Sequence, residues 1–205
     1  MQVKGEKMKR FITFLFFTII ISFQTSTFPQ DVIKAKIAIL HKTADDFTVL
    51  RSNDRLKAGE MIRIFVQPED DCYVYIIHSD NSESTLLYDK KVSSKEDTLI
   101  LPSTSEFYVF DDKSPTAKVT IFCSIQRIED INNLFNDGNE TKLSSWNSLE
   151  DKLLKKYKKN FTDKSEKPFP MAGNVSAVND EFLNGQLVLS GKGAIIRRYE
   201  LEIKK

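Results

Sequence analysis

Apolar residues recur at every second position through most of the stretch from Val32 to Ile125, and this period of two confines the chain to β-sheet. In VIKAKIAIL, Val32 to Leu40, the side chains of Ile33, Ala35, Ile37 and Ile39 share a face while Lys34 and Lys36 take the other. A polar stretch from Arg51 to Lys57 and a turn at Ala58-Gly59-Glu60 lead to Met61 to Val66, where Ile62, Ile64 and Val66 alternate again. Pro68 and Asp70-Asp71 then break the chain. Cys72 to Ile77 is apolar on both faces, the pattern of a central strand covered on both sides, and Asp80 to Ser84 closes it with turn residues. Short strands are expected at Leu86 to Tyr88, Thr98 to Leu101 and Glu106 to Phe110. A longer one is expected at Val119 to Ile125, with Val119, Ile121, Cys123 and Ile125 inward. No helical period intervenes before residue 127, which predicts an antiparallel sandwich or barrel rather than a βαβ fold.

Beyond Arg127 the period changes, since Ile128, Ile131, Leu134 and Phe135 recur at helical spacing. Asn136 to Ser145 reads as a polar link, and Ser148 with Asp151 three residues on resembles a capping box. The helix it would open carries Leu149, Leu153, Tyr157 and Phe161 on one face, with Trp146 just before it. Lys152, Lys155, Lys156, Lys158 and Lys159 crowd toward its C-terminal end, where cations interact favourably with the helix dipole. Thr162 to Pro170 is a second linker. Leu187 to Leu189, the Ser190-Gly191-Lys192-Gly193 turn and the alternation of Ile195, Tyr199, Leu201 and Ile203 predict a terminal hairpin. The fold class expected is mainly β: an antiparallel β-sandwich-like domain over 28–135 with a short helix, then an amphipathic helix and a β-hairpin over 136–205, packed on the same domain.

The N-terminus carries an address. Met8, Lys9 and Arg10 precede Phe11 to Phe23, a run of roughly 13 almost wholly apolar residues, which suits a secretory signal and falls short of the roughly 20 needed to span a bilayer. Residues 1–27 are read as a signal peptide, with the cut near Thr27. The expected destination is across the cytoplasmic membrane, in the periplasm or associated with the cell envelope, with membrane contact only through an uncleaved N-terminal segment. Cleavage would remove Lys4, Glu6, Lys7, Lys9 and Arg10 and leave 26 basic against 28 acidic residues. A balance so close to neutral argues against nucleic-acid binding. An oxidising compartment would permit a Cys72–Cys123 disulfide. Both cysteines lie in apolar strand patterns, where a free thiol serves equally well as a small buried hydrophobe.

Little of the sequence carries chemistry. The imidazoles are His41 and His78, each at a strand end. His78 stands beside Ser79 and Asp80, but consecutive strand residues point to opposite faces, so His78 and Ser79 are badly placed as a catalytic pair. No C-x-x-C or H-x-x-x-H spacing offers a zinc site, and no metal or other cofactor is expected. Asp70-Asp71, Asp80, Asp111-Asp112 and Glu129-Asp130 fall at element ends. There they would suit calcium or a carboxylate pair for glycoside chemistry, or would simply accept local turn hydrogen bonds. LSGKG lacks the spacing of a phosphate loop. The lysine face, Lys152, Lys155, Lys156 and Lys159, is the candidate surface for an anionic envelope polymer, an acidic protein or a membrane surface, unless the lysines merely solvate the helix.

From Leu56 to about Phe135 the order LKAGE, IRIFV, DCYVYIIHSD, LLYDK, LILP, EFYVF, VTIFCSIQRIEDINNLF resembles the bacterial domain of unknown function 4384. The resemblance rests on Leu56, Gly59 and Glu60, on Tyr73, Tyr75 and Asp80, and on Leu101 and Pro102. The chain departs from that pattern with Cys72 where glycine is frequent, and with Ser82 or Glu83 in the aspartate turn. The resemblance implies an exported or envelope-associated β domain and carries over no catalytic residues. The function expected is a noncatalytic interaction or accessory module of the bacterial cell envelope, contacting a protein or polymer partner. The alternative is an envelope hydrolase using acidic turn residues around Asp80 and Asp111.

Overall fold

The computed structural model describes residues 32–44, 46–93, 98–157 and 187–204. The expected signal peptide, the 162–170 linker, and Lys158, Lys159 and Phe161 lie outside the described residues. Among the described residues twelve strands and two helices follow in order: β1 Val32–Lys42, β2 Phe47–Val49, β3 Arg55–Lys57, β4 Met61–Pro68, β5 Cys72–Ser79, β6 Glu83–Val92, β7 Leu99–Leu101, β8 Tyr108–Val109, β9 Thr116–Ser124, α1 Glu129–Leu134, β10 Glu140–Lys142, α2 Leu143–Tyr157, β11 Leu187–Lys192 and β12 Ala194–Lys204. One sheet runs β11-β1-β4-β7, with β2 on β1 and β8 on β4. The other runs β10-β6-β5-β9-β12-β3. The fold is thus mainly β and sandwich-like. The inward faces anticipated from alternation meet between the sheets, where Ile37, Ile64, Val74, Ile121 and Ile195 are all buried. Each such side chain contributes about 1.5–3 kcal/mol of transfer free energy.

The terminal hairpin is present as β11 and β12 joined at Gly193, whose φ of 80° is a conformation glycine adopts without strain. Its two arms hydrogen-bond into different sheets: β11 lies against β1 in the first, and β12 against β9 in the second. The C-terminal segment therefore completes both layers of the sandwich.

Several local expectations are corrected. The polar stretch before Lys57 contains β3, which pairs parallel with the end of β12, so its alternation was too short to register as a strand. Ile125, expected inward, lies just past β9 and is 38% exposed. The link at 136–145 holds β10 and the first turn of α2. The latter starts at Leu143, whose N–H donates to Ser82 O at 3.1 Å, so Ser148 is inside the helix and caps nothing. Trp146 is likewise in the helix and wholly buried.

The central strand β5 is covered on both faces, as its composition required. Its inner face, Cys72, Val74 and Ile76, joins the sandwich core. Its outer face, Tyr75 and Ile77, packs with Phe122 and Ile196 beneath Ile131, Trp146 and Leu153 of the helices. Trp146 meets Phe122 edge-on at 6.0 Å between ring centroids. The Tyr75 hydroxyl accepts the Ile128 N–H at 2.8 Å, anchoring the start of α1.

Candidate binding cleft at the open end of the sandwich

One end of the sandwich is not closed by side chains. There the first sheet narrows to the two-residue β8, and the two layers enclose a cleft of about 490 Å³, within the size range of small-ligand sites. Its apolar wall comes from both sheets: Ile62, Ile64 and Tyr108 on one side, Leu87, Val119 and Ile203 on the other. Leu87 is placed there by an irregularity in the β5–β6 register, where Ile76 opposes Tyr88 but Ile77 opposes Leu86. The extra residue on β6 turns Leu87 toward the inner face, a common use of a bulge beside a site. Phe110 is fixed by backbone bonds to the turn before β4, its C=O accepting from Gly59 N–H at 2.8 Å and its N–H donating to Glu60 O at 3.1 Å. Gly59, at a φ of 87°, gives that turn its shape.

Polar groups gather at the mouth. Alternation along β5 sends His78 inward, into the cleft, and Ser79 outward, where its hydroxyl bonds with that of Ser84 at 2.8 Å. The separation of His78 from Ser79 follows the strand geometry expected of them. Asp80 Oδ1 accepts from Ser82 N–H at 2.7 Å, Ser82 Oγ at 3.1 Å and Glu83 N–H at 2.9 Å. Asp111 accepts Lys113 N–H at 3.1 Å and lies 3.3 Å from Lys113 Nζ. The two cleft serines are committed elsewhere, Ser82 to Asp80 and Ser114 to Thr116 O at 2.6 Å, so neither donates to His78. Among the described residues the His78 imidazole has no hydrogen-bond partner.

The titration of these groups follows from their surroundings. Burial lowers the His78 pKa from the usual 6.5, against the opposing pull of Asp80 and Asp111, so the ring is neutral at neutral pH and can accept a proton or a hydrogen bond. Burial pushes the Asp80 carboxyl up, but the hydrogen bonds from Glu83 and Ser82, with His78 nearby, outweigh it and hold the group below its usual range. A glycosidase acid needs a carboxyl kept protonated near neutral pH, and Asp80 is shifted the other way. No group of three or more His, Cys, Asp or Glu among the described residues is placed to hold a metal ion.

The remaining candidates are scattered. Asp71 pairs with Lys91 at 3.3 Å, Asp130 with Lys152 at 3.2 Å, and His41 Nε2 lies 3.3 Å from Glu60, and none of these residues lines the cleft. Of the lysine face, Lys152 is thus already paired and Lys156 lies over the Tyr157 ring at 5.1 Å, while Lys155 is exposed and Lys159 is outside the described residues. Cys72 and Cys123 are free thiols, wholly buried side by side on the inner face. Val74, not Cys72, stands directly opposite Cys123. The cysteines are therefore diagonal neighbours, about 7–8 Å apart at Cα in a regular sheet, whereas a disulfide usually needs 4.4–6.8 Å.

Sequence reasoning missed Glu150. It is only 2% exposed, yet it accepts from Lys118 Nζ at 2.7 Å and Thr120 Oγ1 at 2.6 Å and lies 3.5 Å from Arg198 Nε. This network bolts α2 to β9 and β12. Its only sequence signal was that Lys118, Thr120 and Arg198 occupy the strand face opposite the sandwich core.

No family model matches the chain, and no curated protein and no solved structure matches it.

Proposed function

We propose that the chain is a noncatalytic binding module of the cell envelope whose ligand enters the cleft at the open end of the sandwich. The observation that carries the reading is His78: an inward-pointing imidazole with no hydrogen-bond partner among the described residues, set between an apolar wall and a mouth of turn carboxylates. Binding sites combine these features, an apolar concavity with a few converging polar groups. The envelope address rests on the apolar run Phe11 to Phe23 behind Lys9 and Arg10, and the resemblance of residues 56–135 to domain of unknown function 4384 agrees with it.

A second reading, an envelope hydrolase, draws on the convergence of His78, Asp80 and Asp111 on one cleft. Its chemistry is incomplete. The serines there bond away from His78, and Asp80 titrates in the wrong direction for a general acid. Cross-linked affinity capture from the native envelope separates the cleft from the lysine face, using the full chain, a Ser114→Trp variant that obstructs the mouth, and a Lys152→Gln, Lys155→Gln, Lys156→Gln variant. A partner kept by the lysine variant and lost by Ser114→Trp supports the proposal. Loss only in the lysine variant moves the site to α2, and turnover of ester or glycoside substrates abolished by His78→Ala would establish the hydrolase instead.

A further inference from the structure

The charges around the cleft say what kind of ligand it favours, an inference that rests on reading the cleft as a binding site. Among the described residues three carboxylates, Asp80, Glu83 and Asp111, stand at its mouth against one cation, Lys113, which is already paired to Asp111 and whose side chain is 85% exposed. A phosphate or carboxylate ligand would meet excess like charge there. A wholly apolar one would leave His78 and the ionised Asp80 with nothing in exchange for their water, a loss that unpaired polar groups make expensive. Asp80 has capacity to spare: its three hydrogen bonds all fall on Oδ1, and Oδ2 takes none among the described residues. The neutral His78 ring offers a nitrogen lone pair, which an ammonium N–H can use and a second acceptor cannot.

We infer that the cleft selects an apolar body bearing a protonated amine, the body lying against Ile62, Ile64, Tyr108 and Val119 and the ammonium held at Asp80 with His78 beside it. This chemistry is shared by a lysine side chain of a protein partner and by a free amphiphilic amine.

The test titrates the full chain, at low salt and slightly alkaline pH, with three probes that share one phenylethyl body: 2-phenylethylamine, 2-phenylethanol and 3-phenylpropionate. The amine is expected to bind about tenfold more tightly than the alcohol, with the carboxylate weakest. In Asp80→Asn, which keeps Oδ1 to accept the turn hydrogen bonds and removes the charge, the amine should lose most of its advantage over the alcohol, the remainder being due to Glu83 and Asp111. Asp111→Asn, in an exposed loop, serves as the second variant and should reduce the preference by a smaller factor. A fourth arm, the capped dipeptide amide Phe-Lys, separates the sources: tighter binding than the simple amine points to a protein partner, weaker to a small free amine. Equal binding of the three phenyl probes to the native chain would overturn the amine preference and leave the cleft a binding site. Binding of none would overturn both.

Discussion

The two faces of the second sheet treat their ionisable groups in opposite ways. On the outer face, under α1 and α2, a buried carboxylate has its partners in place: Glu150 takes Lys118, Thr120 and Arg198, and Tyr75 holds the backbone of Ile128. On the inner face, where the sheets part beyond Val119, His78 has no hydrogen-bond partner among the described residues, and Asp80 and Asp111 bond within their own turns. A completed network rigidifies, whereas an unpaired buried polar group is costly until a partner supplies its hydrogen bond. On the proposed reading the helix-covered face serves stability and the open end recognition, although both are built from the same strands β5 and β9.

That division is broken most readily at Trp146. Trp146→Ala removes the largest fully buried side chain and should destabilise the fold by about 4 kcal/mol, read as a fall in urea midpoint. A change below about 1 kcal/mol would mean that the helices are not a sealed face. Glu150→Ala takes the buried carboxylate from Lys118 and Arg198, which keep Asn147 and Glu200 as partners and retain 18% and 33% side-chain exposure, so the loss should lie near the low end for a broken buried pair, about 3 kcal/mol.

The pH dependence sharpens the other half of the comparison. The folded-state pKa of His78 is lowered below its unfolded value of 6.5. Above 6.5 both states are neutral and the group contributes nothing. As pH falls below 6.5 the unfolded chain takes up the proton first, so stability is lost until the folded pKa is passed. His78→Gln should flatten that slope in the stability-versus-pH curve, and an unchanged slope would place its origin elsewhere. Asp80, with a lowered folded pKa, contributes stability above its unfolded value that is lost as pH falls through the folded one, a window lying below that of His78. Smallest of all, Lys152→Gln breaks an exposed pair with Asp130 and should change stability by less than about 0.5 kcal/mol. A larger effect would give the lysine face a structural role it does not have in this account.

The strands were legible because burial on one face imposes period two directly on the sequence, as in β1 and β9, and the double burial of β5 could be read from its lack of polar residues. What escaped were elements defined by partners distant in the chain. β3 has three residues and exists because β12 lies alongside. The start of α2 is set by Ser82 rather than by its own capping residue. His78, Asp80 and Asp111 were each noticed in the sequence, but their convergence depends on how β5, β6 and β8 meet. The apolar wall from Ile62 and Ile203 could not be distinguished from ordinary core. Glu150 looked like one more charge on a charged helix.

The most direct test of the account follows the methyl resonances of the full chain while 2-phenylethylamine is added. Ile62, Ile64, Val119 and Ile203, which line the cleft, should shift together along one saturable curve, while Ile128, Ile131 and Leu153 beneath the helices stay in place. Shifts confined to the helix-covered face, or spread evenly over both, would contradict the assignment of recognition to the open end of the sandwich.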